Sequence, residues 1–147
     1  MSTQAKEASD QRIFRGTDRH KGRYLSITPE NSAMKHLVYG RIILDKEVPS
    51  AVFATGDFES GLICLSGQCT INADGQTFEL DRYDSIYLPR ETDVEVTTAS
   101  AVDLVECSAA VERNIRCSWC VTLMWKRTRR SSSRPADPQL LAPSTSR

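Results

Sequence analysis

Apolar and polar residues alternate in short stretches through the middle of the chain. In 93–97 the sequence Asp-Val-Glu-Val-Thr alternates with a period of two, which predicts a strand with one apolar and one polar face. The runs 51–54 and 62–65 are continuously apolar and predict strands that are buried. Further strand-like runs lie at 24–28, 36–44, 69–73, 76–80, 84–89 and 101–107.

Turn residues separate these runs at short intervals. Pro29 ends the first run, and Asp74-Gly75 lies between two later ones. An Asp-Gly pair favours the type I′ hairpin, because that turn requires a positive φ at both central residues. Many short strands with no helical period between them predict an all-β fold, an antiparallel sandwich or barrel.

The composition is typical of a single globular domain. The 147 residues are 39% hydrophobic and 26% charged, and no apolar run approaches the ~20 residues that span a bilayer. The polar segment 1–15 has no hydrophobic stretch of the kind found in secretory signals. We therefore expect a soluble cytoplasmic protein with reduced thiols, in which Cys64, Cys69 and Cys107 are small buried side chains on strands.

The composition changes abruptly after Glu112. Residues 1–112 hold 11 Lys and Arg and 18 Asp and Glu, a balance of −7, whereas residues 113–147 hold 8 Lys and Arg and one acid, a balance of +7. Such a break marks a boundary between two kinds of sequence. We predict a flexible segment at 1–22, a β-barrel at 23–112 and, after it, a divergent, largely disordered basic tail.

The tail at 113–147 allows several interpretations. Alternation at 115–125 predicts one more strand, and the basic run 126–130 precedes serines and prolines that cannot build a core. The basic run could contact nucleic acid or an anionic membrane surface, but the acidic body and the lack of aromatic residues after Trp125 disfavour nucleic acid, and we predict neither partner. A shifted reading frame, a retained intron or an alternative exon would also produce such a tail, and one uninterrupted frame in the transcript would exclude this origin.

Few residues suggest chemistry by their type and spacing. His20 lies in a basic, loop-like segment, and His36 opens a strand-like run with no second potential ligand beside it. Zinc sites need three or four clustered ligands, so both histidines are interpreted as surface residues. Cys117 and Cys120 form a single CxxC, which without a second pair is a weak zinc or redox signal and is compatible with chance spacing.

Several weak motifs in a fixed order resemble one family of enzymes. They are the segment 24–32, the run 37–44, and the strand, hairpin and proline-ended strand from Gly61 to Pro89. In this order they resemble the N-terminal half of the 5-deoxy-glucuronate isomerases of inositol catabolism, which share a two-cupin family with the 4-deoxy-uronate isomerases of the pectin pathway. The resemblance covers residues 23–112 and implies a single cupin-like, jelly-roll barrel.

The resemblance also implies an activity. Members of this family interconvert the aldose and ketose forms of a deoxy-uronic acid, with a divalent metal such as zinc to stabilise the charge that develops on oxygen. The metal ligands of the family lie in its C-terminal barrel, and this chain ends or changes character before that half begins. We therefore expect no metal or other cofactor in this chain, a sugar-acid substrate, and assembly into a homo-oligomer.

The general cupin pattern can be checked residue by residue. If Gly67 is the glycine of the first motif and Pro89 the proline of the second, the ligand positions fall on Ala54, Gly56, Ser60 and Val94. None of these side chains binds a divalent metal as the pattern requires. Glu59 lies one residue from a ligand position, and strand alternation predicts that it points to the opposite face.

Two classes of function remain open. The chain is either a short member of the isomerase family, or a non-catalytic cupin module that binds a sugar acid or serves as half of a larger assembly. A uronic carboxylate favours a bidentate arginine, and Arg41, Arg82 and Arg90 lie in the β-rich part, but such arginines are more often surface residues and none is assigned to a site. A half-barrel without its partner would expose apolar surface, which predicts self-association.

Overall fold

The computed structural model of the chain describes residues 12–113. All regular structure in this range is β-strand. The strands of this range are β1 (Gly22–Ile27), β2 (Val38–Leu44), β3 (Ser50–Ala54), β4 (Phe58–Gly67), β5 (Cys69–Ala73), β6 (Gln76–Leu80), β7 (Ser85–Leu88), β8 (Asp93–Thr97) and β9 (Val102–Ala110). Within the described residues there is no helix of the length and apolar character that a membrane crossing needs.

The strands form two antiparallel sheets. The five-stranded sheet has the order β1-β2-β9-β4-β7, and the four-stranded sheet has the order β3-β8-β5-β6. The chain passes repeatedly from one sheet to the other, for example between β4 and β5 and between β8 and β9, as in a double-sheet jelly roll. The inward faces of both sheets enclose one core, which confirms the predicted all-β barrel.

Every strand predicted within the described range is present. β5, β6 and β8 coincide with the predicted runs 69–73, 76–80 and 93–97. The other strands differ from the prediction at their ends, because backbone pairing continues beyond the apolar residues. β4, for example, pairs with β9 along its whole length, from Phe58 to Gly67.

The prediction that 51–54 and 62–65 are buried strands is wrong in part. Both runs are strands, but Val52 is 76% exposed and Ile63 is 41% exposed. Each of these side chains points to the outer face of its sheet, because successive residues of a strand face opposite sides. A continuous apolar run does not reveal that only alternate positions are covered.

Two turns depend on a positive φ. Asp74 and Gly75 join β5 to β6 with φ of 48° and 75°, which is the hairpin geometry that their sequence predicts. Gly67 ends β4 with a φ of 79°, and a Cβ atom there would lie 2.0 Å from the carbonyl oxygen of Ala101. Only glycine can occupy this position without a shift of the backbone.

The core contains aliphatic side chains from both sheets. The most deeply buried are Ile42, Leu44, Leu62, Ile71, Leu88, Val94, Val96 and Leu104. Cys64 and Cys69 are buried as predicted, whereas Cys107 is only half-buried and points outward from β9. Burial raises the pKa of all three thiols, that of Cys69 to about 12.

Several predictions concern residues outside 12–113. They are the strand at 115–125, the basic run at 126–130, the disorder of the tail and any role of Cys117 and Cys120. The boundaries 1–22, 23–112 and 113–147 likewise stay predictions.

Candidate binding site at the polar end of the barrel

Buried polar side chains collect at one end of the barrel interior. Strand β9 alternates inward and outward, and its inward positions are Val102, Leu104, Glu106 and Ser108 in that order. The first two are core residues. Glu106 and Ser108 continue the same face as a carboxylate and a hydroxyl, with 1% and 5% of their surface exposed. β9 therefore carries the transition from an apolar to a polar interior.

Glu106 is paired with an arginine from the edge strand β1. Arg23 Nε donates to Glu106 Oε2 and Arg23 Nη2 donates to Glu106 Oε1, both at 2.7 Å. The Arg23 guanidinium also lies 4.2 Å from the ring centre of Phe53, on the opposite sheet. A bidentate pair of this kind is among the strong charge-assisted interactions, and the ring contact adds a cation–π contribution.

Gly40 allows β1 to approach closely enough for this pair. It lies on β2 between Leu25 of β1 and Glu106 of β9. A Cβ atom on Gly40 would lie 2.7 Å from Leu25 Cδ2 and 2.8 Å from the carbonyl oxygen of Tyr24. The missing side chain thus lets β1 pack against β2, which brings Arg23 within reach of Glu106.

Two serines extend the Glu106 contacts into a directed chain of hydrogen bonds. Ser108 Oγ donates to Glu106 Oε1 at 3.1 Å, and the hydroxyl oxygens of Ser60 and Ser108 lie 2.8 Å apart. A hydroxyl has one proton, and Ser108 has committed its proton to Glu106, so Ser60 must donate to Ser108. We name the chain Ser60–Ser108–Glu106 the serine relay.

Two threonines lie at the same barrel end on the four-stranded sheet. Thr55 Oγ1 donates to the carbonyl oxygen of Pro89 at 2.8 Å and accepts from the Thr92 N–H at 2.9 Å. Pro89 directly follows Leu88, which pairs with Ser60 of the serine relay. The two threonines and the relay therefore border the same part of the interior.

The metal-ligand positions of the cupin pattern map to this end of the barrel. Ser60 and Val94 are buried and face the interior, whereas Ala54 is exposed and Gly56 lies in a turn with a φ of 57°. Ser60 is committed to the relay and Val94 has no donor atom. In the described part of the chain, no three His, Cys, Asp or Glu side chains gather as a metal site would require. The residues present at these four positions do not fit a divalent metal.

The side chain of Glu59 points away from the interior, as predicted. It lies opposite Ala109 on the outer face of the five-stranded sheet and accepts a hydrogen bond of 2.9 Å from Tyr87 Oη.

The three arginines considered from the sequence lie outside the barrel interior. Arg41 is on the outer face of β2 and forms a bidentate pair with Asp103. Arg82 donates from a loop to the carbonyl oxygen of Leu65 at 3.2 Å, and Arg90 donates to that of Val111 at 2.6 Å. None of these hydrogen-bond partners belongs to the serine relay.

Both histidines lie on exposed loops. The His20 ring stacks on Tyr24 at a centroid distance of 4.1 Å, and His36 is exposed before β2. Within residues 12–113, neither belongs to a group of three potential metal ligands.

A cavity of about 530 Å³ lies at the opposite end of the barrel. It is open to solvent and is lined by Gln68, Cys69, Thr70, Glu79, Leu80, Asp81 and 97–100. Its acidic side chains are exposed, and no buried charged group is directed into it. We therefore place the candidate site at the polar end.

Sequence reasoning missed Arg23, Glu106 and Ser108. The signal was present in the period of β9, because Glu106 and Ser108 fall in phase with Val102 and Leu104 on the apolar face. A charged residue in phase with core residues indicates a buried pair or a site. No sequence pattern marks Arg23, because β1 is an edge strand and Glu106, with which Arg23 forms its ion pair, is 83 residues away.

Solved structures with similar folds include cupin proteins. A cupin protein from Bacteroides fragilis has a TM-score of 0.54 and 14% identity, covering 76% of this chain and 88% of that protein. An IolB-like protein from Salmonella typhimurium LT2 has a TM-score of 0.52 and 22% identity, covering 62% of this chain. These likenesses confirm the cupin fold of the barrel.

The chain spans only part of some of these proteins. It covers 38% of the IolB-like protein. It covers 58% of the Schizosaccharomyces pombe Cnp3 cupin domain, which shares 15% identity with it over 52% of this chain at a TM-score of 0.48.

The sequence itself matches one protein family over most of its length. The match is to the KduI/IolB family and runs from residue 13 to residue 132, beyond the predicted barrel boundary at Glu112. No curated protein matches the chain in sequence. On this family match, the chain belongs to the KduI/IolB family.

Proposed function

We propose that residues 12–113 form the non-catalytic front barrel of an aldose–ketose isomerase whose substrate is a deoxy-uronic acid, 5-deoxy-glucuronate of myo-inositol catabolism. Family membership supports the class of reaction, and the resemblance to the N-terminal half of the family supports the substrate. The observation that carries the non-catalytic role is the Arg23–Glu106 pair, which neutralises the one buried carboxylate of the described residues.

Isomerisation of a sugar acid makes two demands on a site. A base must remove a proton from the carbon next to a carbonyl, and a positive group or metal must stabilise the charge on oxygen. Both Glu106 oxygens already accept from Arg23, and Oε1 accepts from Ser108 as well. The carboxylate is therefore held by its neighbours rather than presented to a substrate carbon.

The metal of the family also lacks ligands in this barrel. Ser60 and Val94 occupy two of the ligand positions, and neither supplies an imidazole or carboxylate. No step of the reaction is assigned to residues 12–113. The reacting groups are proposed to lie outside them, in keeping with the C-terminal metal site that the resemblance implies.

A direct assay tests this proposal. The full chain is purified, incubated with zinc or manganese, and assayed for isomerisation of 5-deoxy-glucuronate while its bound metal is measured. We expect no turnover and no stoichiometric metal. Glu106→Gln is the matched control, and it should leave any background rate unchanged. Turnover together with stoichiometric metal would contradict the proposal, and a loss of that turnover in Glu106→Gln would assign the chemistry to this barrel.

The proposal includes self-association in the cytoplasm through the five-stranded sheet. The outer face of that sheet is rich in aromatic and aliphatic residues, namely Tyr24, Tyr39, Ile43, Ile63, Tyr87 and Val105. The outer face of the four-stranded sheet instead carries Asn72, Glu79, Asp93 and Glu95. Apolar faces of this kind favour protein contacts. Light scattering should therefore show an oligomer that Ile63→Lys weakens, and a monodisperse monomer at high concentration would contradict this.

A further inference from the structure

One hydroxyl group at the polar end has no hydrogen-bond partner. Thr92 Oγ1 is buried, and it is the one buried side-chain polar atom of the described residues that lacks a partner. The backbone of Thr92 is fully bonded, since its N–H donates to Thr55 Oγ1 and its carbonyl oxygen accepts from the Thr55 N–H. A buried hydroxyl without a partner destabilises a fold, so its presence needs an explanation.

Strand alternation directs this hydroxyl into the barrel. Thr92 directly precedes β8, and its carbonyl oxygen accepts a hydrogen bond of 2.9 Å from the Thr55 N–H, next to the last residue pair of β3 and β8. It lies two residues before Val94, whose side chain faces the interior. Thr92 is itself only 1% exposed. Its hydroxyl and the serine relay therefore face the same end of the interior, from the two opposite sheets.

The other groups at this end supply both donors and acceptors. The Ser60 hydroxyl donates its proton to Ser108, so its oxygen retains capacity to accept. The Arg23–Glu106 pair is electrically neutral as a unit. The Arg23 side chain is 28% exposed, which places this group at the opening to solvent.

We propose that the polar end binds a small, neutral, hydroxyl-rich molecule of the monosaccharide class, with Thr92 Oγ1 as a direct hydrogen-bond partner. A sugar carries several hydroxyls, each of which can donate and accept, so it can supply the partner that Thr92 Oγ1 lacks. This inference goes beyond the proposed isomerase assembly, because it assigns to the front barrel a ligand that is not transformed.

Charge favours a neutral sugar over a uronic acid at this site. The positive charge of Arg23 is already compensated by Glu106. A ligand carboxylate would enter beside Glu106, which already occupies the Arg23 guanidinium, and it would lose hydration. Glucose and glucuronate differ only in the group at C6, so they form a matched pair of probes.

Titration of the full chain with both sugars tests the site. Amide NMR shifts are followed at Thr92, Ser60 and Glu106 while D-glucose or D-glucuronate is added. We expect saturable shifts with D-glucose at a Kd of about 1 mM, which is usual for weak polar ligands, and at least tenfold weaker binding of D-glucuronate. Equal or tighter binding of D-glucuronate would overturn the neutral-ligand assignment, and shifts confined to other residues would overturn the site.

Removal of the Thr92 hydroxyl tests whether that group binds a sugar or only a buried water molecule. Thr92→Val removes the unpartnered hydroxyl at nearly constant volume, so the variant should melt a few degrees higher and bind D-glucose at least fivefold more weakly. Thr70→Val makes the same change on the outer face of the four-stranded sheet and should leave binding unchanged. If D-glucose produces no saturable shift, or binds Thr92→Val as it binds the wild-type chain, the hydroxyl serves at most a water and the proposal fails. D-glucose is not a substrate of the isomerase assay, so this result is independent of any turnover measured there.

Discussion

The two ends of the barrel interior are built from the same strands but differ in chemistry. At one end β9 directs Val102 and Leu104 inward against Leu44, and these side chains form part of the dry core. At the other end the same strand directs Glu106 and Ser108 inward. The pleat of β9 does not change between the two ends. The comparison shows that the strand period decides which residues face inward, and residue type then decides whether a layer becomes core or site.

The polar end is not explained by stability alone. A buried ion pair loses hydration on both charges, and apolar residues of similar volume often stabilise a fold as well or better. An unpartnered buried hydroxyl on Thr92 is a further cost. The aliphatic core next to the apolar end has no such cost, because its side chains exchange water for close packing. These costs are consistent with a polar end that binds a ligand.

At the apolar end, Gly67 packs against the backbone of Ala101, and a substitution there is expected to lower the free energy of unfolding most. Gly67→Ala places Cβ against the Ala101 carbonyl, and we expect a loss of unfolding free energy of about 4 kcal/mol or more. Gly75→Ala is the matched control, because its φ of 75° is close to the 79° of Gly67 but its Cβ would meet open space. The control should lose only about 1 kcal/mol from backbone strain. Urea unfolding measures both, and equal losses would contradict the steric role of Gly67.

Removal of one partner from the polar end is expected to be the next largest effect. Arg23→Met leaves Glu106 buried without its counter-charge and should cost about 4 kcal/mol. Glu106→Leu should cost less, because the partly exposed Arg23 can then reach water. The double variant should return close to wild-type stability, since no buried charge remains. Losses that simply add in this double-mutant cycle would show that the two residues are not coupled.

The smallest expected effect is a difference in the rate at which a thiol reagent modifies the buried and the half-buried cysteines. Burial raises the pKa of Cys69 to about 12 and also raises the pKa of Cys64 and Cys107, so few thiolates exist at pH 8. In a chain with Cys117→Ser and Cys120→Ser, an aromatic disulfide reagent should modify Cys107 first, because it is half-buried on an outer face. Modification should accelerate as the pH rises. Equal rates at Cys69 and Cys107 would contradict the packing of the apolar end.

Much of the fold was predictable because its signals are local. The Asp74-Gly75 turn and the alternation at 93–97 each depend on a few neighbouring residues, and the structure confirms both. Burial of continuous apolar runs was less predictable. Val52 and Ile63 are exposed because their sheet faces are not covered within the described residues, and coverage depends on the packing of distant strands.

The candidate site was only partly predictable. The sequence excluded metal ligands at Ser60 and Val94, and the structure places both side chains inside the barrel. The partner of Glu106 could not be predicted, because Arg23 reaches it from an edge strand that is adjacent only through β2. The same applies to Thr92, whose missing partner becomes apparent only when every neighbouring group is in place.

The sequence by itself determined the strands, the turn residues and the family of this protein, because strand period and turn geometry depend on neighbours along the chain. Only the tertiary structure decided that Arg23 neutralises Glu106, that the serine hydroxyls form a directed relay, and that one threonine hydroxyl remains unpaired. These three features depend on distances between strands that are far apart in sequence. Hydrogen bonds and ion pairs act over a few ångströms, so their partners are selected by the fold rather than by residue order.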